Sequence, residues 1–250
     1  MPATPAIWVF ESKSNGDHGD GAAEMSLRRH GALSGQGSGA SGNSYALATL
    51  DSANKPLSWA DIKSEVSRFI EYVKVHSDAK FKLMPGSVRR SDDEHERFAD
   101  LMRNVPPNCE LPGRMLEILG RLQIVRITLL EANIRAADAG IRKKVLDEYS
   151  TANAGLWNAE QIEIVSFGAA HTVVANDRYA KGRGYLHRII NVDTEVYGDD
   201  AAQVLETLSI AYSAKLLCLD DPDGTSTSAR LNSIRLAACG GLEIDSILIR

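Results

Sequence analysis

The chain has 250 residues, of which 44% are hydrophobic, 24% charged and 6% aromatic, and it carries a formal net charge of −5. That composition excludes a disordered or fibrous protein, and the length holds one large domain or two modest ones. The negative charge excludes a broad attraction to polyanions, so neither nucleic acid nor a membrane is an expected partner.

Ala6 to Phe10 is apolar, aromatic and β-branched, which predicts a buried strand. A helix from about Gly19 to His30 follows. Residues 31–43, GALSGQGSGASGN, hold five of the twenty glycines. Such a composition also suits a flexible linker, but one lying between two strands, far from the next boundary, is poorly placed. SYALATL, 44–50, reads as a second strand. The spacing of Leu57, Ile62, Val66, Phe69, Ile70 and Val73 predicts a helix with Ser58 as its N-cap. A strand over FKLM, 81–84, and a helix over 92–103 come next. The run VPPNCELPG, 105–113, has three prolines and a glycine in nine positions and ends the first domain, giving units 1–113 and 114–250.

In the second half, strands are expected over 123–130, 161–166, 187–192, 214–219 and 242–249, with helices near 135–150, 169–182, 199–213 and 227–239 between them. Strands separated by helices imply a parallel sheet covered on both faces. Residues that matter should follow the strands, because ligands bind at the carboxyl ends of such sheets. Cys109, Cys218 and Cys239 are widely spaced with no CxxC pair, which argues against a disulfide framework or a thiolate zinc site. They are expected to be buried packing residues in a reducing compartment. The amino terminus lacks a basic region followed by a long apolar run, and no stretch approaches a membrane span, so a soluble intracellular protein is expected.

The blocks GDHGDGAA, 16–23, and GQGSGASGNSYA, 35–46, together with the ending PPNCELP, resemble a group of bacterial and phage proteins similar to macro domains, the ADP-ribose-binding fold. The resemblance covers roughly residues 6–113. It implies residual ligand-binding positions at Gly16, His18, Gly19, Gly21, Gly35, Gln36, Gly37, Gly39, Ser44 and Tyr45. Physically, glycines let main-chain N–H groups approach a diphosphate, and the helix starting near Gly19 points its positive end at it. His18 either donates to a ribose or phosphate oxygen or is bonded to backbone or water. The chain departs from the family at Glu11, Ser12 and Lys13, where the family is small and neutral and a carboxylate opposes a phosphate. It departs again at Ala48, Thr49 and Leu50, where the family's lysine is lost, and in PGSVRRSDD, 85–93, where only Gly86 of a glycine loop survives. Arg89 and Arg90 either bind an anion by another geometry or, as an exposed charge pair more often does, form solvated surface.

From about Arg121 onward, QIEIVSFGAAHTVVANDRYAKGRGYLHRIINVD and the Tyr197–Gly198 pair resemble the SLOG superfamily of Rossmann-like nucleotide-binding proteins. The phosphate-binding positions differ. Leu130, Glu131 and Ala132 replace glycine, serine and arginine, and the block from Phe167 to Val173 replaces a glycine-rich one. Leu205 and Glu206 replace arginine and asparagine. The last loop keeps Asp223, Gly224 and Ser226 but has Ser228 and Ala229 for glycine and threonine. A leucine or phenylalanine at a glycine position blocks a phosphate, and each lost charge-assisted bond removes about 1.5–3 kcal/mol. Leu130, Phe167 and Leu205 are therefore expected to close the cleft together, and His171 reads as a satisfied structural histidine.

The expected fold is α/β, two tandem three-layer domains, the first macro-like and the second a Rossmann-like doubly wound parallel sheet. Because both halves keep the hydrophobic frame and lose the polar inventory, the expected role is non-catalytic, with no cofactor and no metal. It is that of a structural or interaction protein, phage-encoded, working in a virion or an assembly in the host cytoplasm with other protein subunits as partners. The alternative is a binding module or sponge for ADP-ribose or another NAD-derived nucleotide. A third reading, a glycosidic-bond hydrolase, needs a carboxylate such as Glu11 or Asp17 with a water.

Overall fold

The computed structural model describes residues 6–19, 21–86, 90–131, 139–153, 162–220 and 228–248. The chain is α/β and divides into two compact units, Met1–Leu119 and Gly120–Arg250, each built on a five-stranded sheet between helices.

The first unit runs β1 (Ile7–Lys13), α1 (Gly21–Arg29), β2 (Gly39–Ser41), β3 (Ser44–Leu50), α2 (Trp59–Val75), β4 (Phe81–Leu83), α3 (Asp92–Leu101), β5 (Cys109–Glu110) and α4 (Gly113–Ile118). Its strand order is β2-β3-β1-β4-β5, parallel except for β2. Alternation along β1 sends Val9 into a core shared with Ile62, Phe69 and Phe98 of α2 and α3. It sends Trp8 and Phe10 to the other face, where they meet His30 and His18 on either side of α1. Ser58 caps α2 by accepting from the Asp61 amide, and Ser91 with Glu94 forms a capping box on α3. The unit ends six residues beyond the proline-rich run. Met115, Leu116 and Ile118 of α4 pack on the first core, so the run is a connection inside the unit rather than its end. Within it Asn108 donates to the carbonyls of Val73, His76 and Ala79, tying off the end of α2.

The second unit runs β6 (Val125–Glu131), α5 (Ala139–Ala152), β7 (Ile162–Ser166), α6 (Ala170–Arg183), β8 (Leu186–Ile189), α7 (Thr194–Tyr197), a 3-10 turn (Gly198–Asp200), α8 (Ala201–Tyr212), β9 (Lys215–Asp220), α9 (Ser228–Cys239) and β10 (Glu243–Leu248). The sheet order β10-β9-β6-β7-β8 is parallel throughout, the Rossmann-like doubly wound arrangement. Ile127, Leu129, Leu217 and Leu219 pack against α5 and α6, while Leu216 and Cys218 pack against α8 and α9. All three cysteines are buried and none is in a disulfide, and no described helix is long and apolar enough to cross a membrane.

Candidate functional site

The carboxyl ends of β1 and β3 and the start of α1 form the ligand edge expected of the first unit. The two glycine blocks do converge there, but on each other. The Gly35 amide donates to the Gly16 carbonyl at 2.9 Å, and Ser12 donates through its hydroxyl to the Gly37 carbonyl. Gly16 has φ +71, and a Cβ on it would fall inside the backbone of Gly35 and Gln36; one on Gly37 would strike the Ser14 carbonyl. These two glycines serve loop-to-loop packing. Gly21 and Gly35 leave open space where a Cβ would stand, Gly19 would bring one to 3.3 Å from the Asp17 carboxylate, and Gly39 has only the Gln36 amide at 3.5 Å. Gln36 turns that amide to the carbonyls of Ser38 and Ala40, holding its own loop. Ser44 bonds back to Ser41, and Tyr45 is buried against Phe69 and Tyr72 in the core. Both side chains are engaged within the fold.

His18 is 3% exposed, edge-on to Phe10, with neither ring nitrogen in a well-formed hydrogen bond. Burial pushes its pKa down, partly offset by the neighbouring backbone of Gln36 and Leu33.

The edge also holds an ion pair that the sequence did not reveal. Glu11 is 3% exposed and accepts two bonds from Arg90, at 2.8 and 2.5 Å, and one from Thr49 at 2.7 Å. Arg90 is therefore buried, not solvated surface, and it lies 4.8 Å over the Phe98 ring. Arg89 lies outside the described residues. Burial alone would raise the Glu11 pKa, but Arg90 and the Thr49 hydroxyl overcome it and hold the carboxyl below its ordinary value. A carboxylate held so firmly ionised is a poor proton donor. Asp17, the other candidate acid, is paired with Lys13 at 2.6 Å. The sequence signal that was present is Glu11 itself, since a carboxylate inside an apolar strand demands a partner.

In the second unit the switch point lies between β6 and β9, where neighbouring strands connect in opposite directions. Residues 132–138 and 221–227, which follow those strands in the chain, lie outside the described residues, and with them Ala132, Asp223, Gly224 and Ser226. The side chains of Glu131, Ser228 and Ala229 are likewise not described. The expected plug of three side chains is not a single cluster. Leu130 packs with Leu216, Cys218 and α9, while Phe167 and Leu205 are each half-buried and share no described core with it. Glu206 is buried and accepts from Asn232 and Ser233 of α9. His171 is exposed rather than a satisfied structural histidine, because it lies in the first turn of α6 on the side away from the sheet.

A polar chain crosses the end of β7 instead. Arg142 donates to Asn176, which donates to the Ser166 oxygen at 2.8 Å. Ser166 lies 2.8 Å from His187 Nε2, and His187 Nδ1 lies 3.2 Å from Asp177. With the ring proton on Nδ1 every donor points the same way, from a buried cation to a half-buried carboxylate, so each bond polarises the next. The serine, histidine and aspartate follow the connectivity of a nucleophile relay. Ser166 is 1% exposed, however, and its oxygen already accepts from Asn176. The chain of bonds ties α5, α6, β7 and β8 together, with the serine hydroxyl closed off from solvent.

A hollow of about 730 Å³ between α3 and α4 is lined by side chains of both signs, including Arg97, Asp100, Arg103 and Glu117, and by none of the glycine-loop residues. Among the described residues no group of three or more histidines, cysteines or carboxylates is arranged to hold a metal ion. No protein-family model matches the chain, and no curated protein matches it.

Proposed function

We propose that the chain is a non-catalytic interaction protein built on two former nucleotide-binding domains, a macro-like one followed by a SLOG-like one, and that it works as a phage-encoded virion or assembly component among other protein subunits. The observation that carries this reading is the Glu11–Arg90 pair: the chain's own carboxylate takes the bidentate bonds that a ligand anion would need. The contact of Gly16 and Gly37 with opposing backbone supports it, because glycines used for loop packing are not available to cradle a phosphate.

One observation favours a second reading, a binding module for ADP-ribose or a related NAD-derived nucleotide. Buried His18 stands at the start of α1 with no well-formed hydrogen bond at either ring nitrogen. Thermal melts separate the two. A ligand at a hundred times its Kd stabilises by about 2.7 kcal/mol, which in a chain of this size raises Tm by roughly 5–10 °C. The interaction reading expects no shift with millimolar ADP-ribose, NAD or cyclic ADP-ribose; a saturable rise in Tm favours the binding module.

A further inference from the structure

The two edges of the second sheet are unlike. On β10, Ile244 is 36% exposed but is flanked by exposed Glu243 and Asp245, which engage Lys215 and Tyr149, charged side chains of the kind that keep an edge unpaired. On β8, Leu186 and Ile189 are 50% and 44% exposed, and Val196 on α7, the next helix, is 62% exposed. The first sheet ends in strands of three and two residues, β2 and β5.

The backbone of β8 is also oriented for pairing. The Ile190 amide donates to the Ser166 carbonyl on β7 at 3.0 Å. Successive residues of a strand turn their N–H and C=O groups to opposite sides, so those of His187 and Ile189 point away from β7, along an edge that carries no further strand among the described residues. Charge is polarised along the same edge. Exposed Lys181 and Arg183, at the end of α6, precede the strand beside Asp177 and Asp147 of their own chain, exposed Arg188 lies within it beside Glu163, and exposed Asp193, Glu195 and Asp199 follow it.

We propose that β8 is a self-association edge, on which a second copy of this chain adds its own β8 antiparallel about a two-fold axis, joining two five-stranded sheets into one. The charge order selects this occupant. Antiparallel pairing sets the basic end of one copy beside the acidic end of the other, twice, while Leu186 and Ile189, three positions apart, extend the exposed apolar surface on opposite faces of the joined sheet. A parallel arrangement would oppose like charges. The inference supplies the partner of an interaction protein and rests on that reading.

Sedimentation velocity and light scattering on the full chain, over a micromolar concentration series, test it. The chain should be a dimer. Ile189→Pro removes an outward N–H and none of those bonded to β7, as edge strands tolerate, and it should give a monomer with unchanged circular dichroism. Lys181→Glu should weaken the dimer roughly tenfold, and adding Glu195→Lys should restore it, because the reversed charges again face each other across the axis. If Ile189→Pro fails to fold, Ile189→Lys serves in its place with the same expected monomer. A monomer at every concentration, a dimer that survives the position-189 variants, or a charge swap that does not restore the dimer would each overturn the proposal. Failure here leaves the closed ligand edge untouched, since nucleotide binding is read by a separate measurement.

Discussion

Glu11 and Arg90 are each buried on account of the other, so losing one is far worse than losing both. Glu11→Ala leaves a guanidinium without its carboxylate in a dry setting and should cost about 3–5 kcal/mol in urea unfolding. Replacing Glu11 by Leu, Arg90 by Met and Thr49 by Val together should lie near wild type, because the apolar set avoids the desolvation costs and leaves no buried hydroxyl without its acceptor. Acid acts on the same side chains. The folded pKa of Glu11 is below its ordinary value, so its contribution is complete above that ordinary value, about 4.5, and is lost as pH falls through the folded one. His30 is pushed down to about 4 by burial beneath Trp8, from an ordinary 6.5. Its contribution is complete above 6.5 and drains away as pH falls from there toward 4. Burial lowers His18 and His95 in the same direction. Melting temperature should therefore drop between pH 7 and pH 4.5, and His30→Phe, which keeps a ring on Trp8, should flatten that drop. The pairing was not legible in the sequence because 79 positions separate the partners, and an arginine beside another arginine in a polar loop reads as surface. Ser166 hid for the same reason, its histidine lying on the next strand. It should resist fluorophosphonate labelling, and Ser166→Ala should cost about 1–3 kcal/mol by orphaning its buried partners.

At the scale of elements, patterns of local origin were legible. The helical spacing from Leu57 to Val73 and the Ser58 cap are α2 as built, and the apolar runs became β1, β3, β6, β7 and β9. Strands of two or three residues, β2 and β5, carry too few positions for a period, and α4 was hidden behind the prolines that introduce it. The glycine blocks were legible as a place but not as a purpose. Composition identifies a close approach of backbone, whereas only coordinates tell whether the approaching group is a ligand or another loop. The distinction is measurable. Gly37→Ala and Gly16→Ala should each destabilise by more than about 1 kcal/mol, because backbone must move to admit the methyl group. Gly19→Ala, which meets only the flexible Asp17 side chain at 3.3 Å, should stay within about 0.5 kcal/mol of wild type. If Gly19→Ala were instead the damaging change, the packing role assigned to the blocks would be wrong.

For the whole molecule, alternation of strands and helices was enough to anticipate two layered α/β units, because parallel strands need helix-length crossovers and those crossovers cover both faces. Strand order, which places the switch point between β6 and β9, came only from the structure. What unites the two units is a retained apolar frame with polar groups turned inward on one another: Glu11 on Arg90 in the first, Ser166 on His187 and Glu206 on α9 in the second. On the function proposed above, polar groups satisfied internally in this way have no free energy left to offer a nucleotide at those positions. Calorimetric titration of the full chain with ADP-ribose at pH 7.5 tests this most directly. No saturable heat should appear up to millimolar ligand. Micromolar binding that disappears when His18 is replaced by alanine, with the fold intact, would contradict the closed edge and make the first unit a nucleotide-binding module.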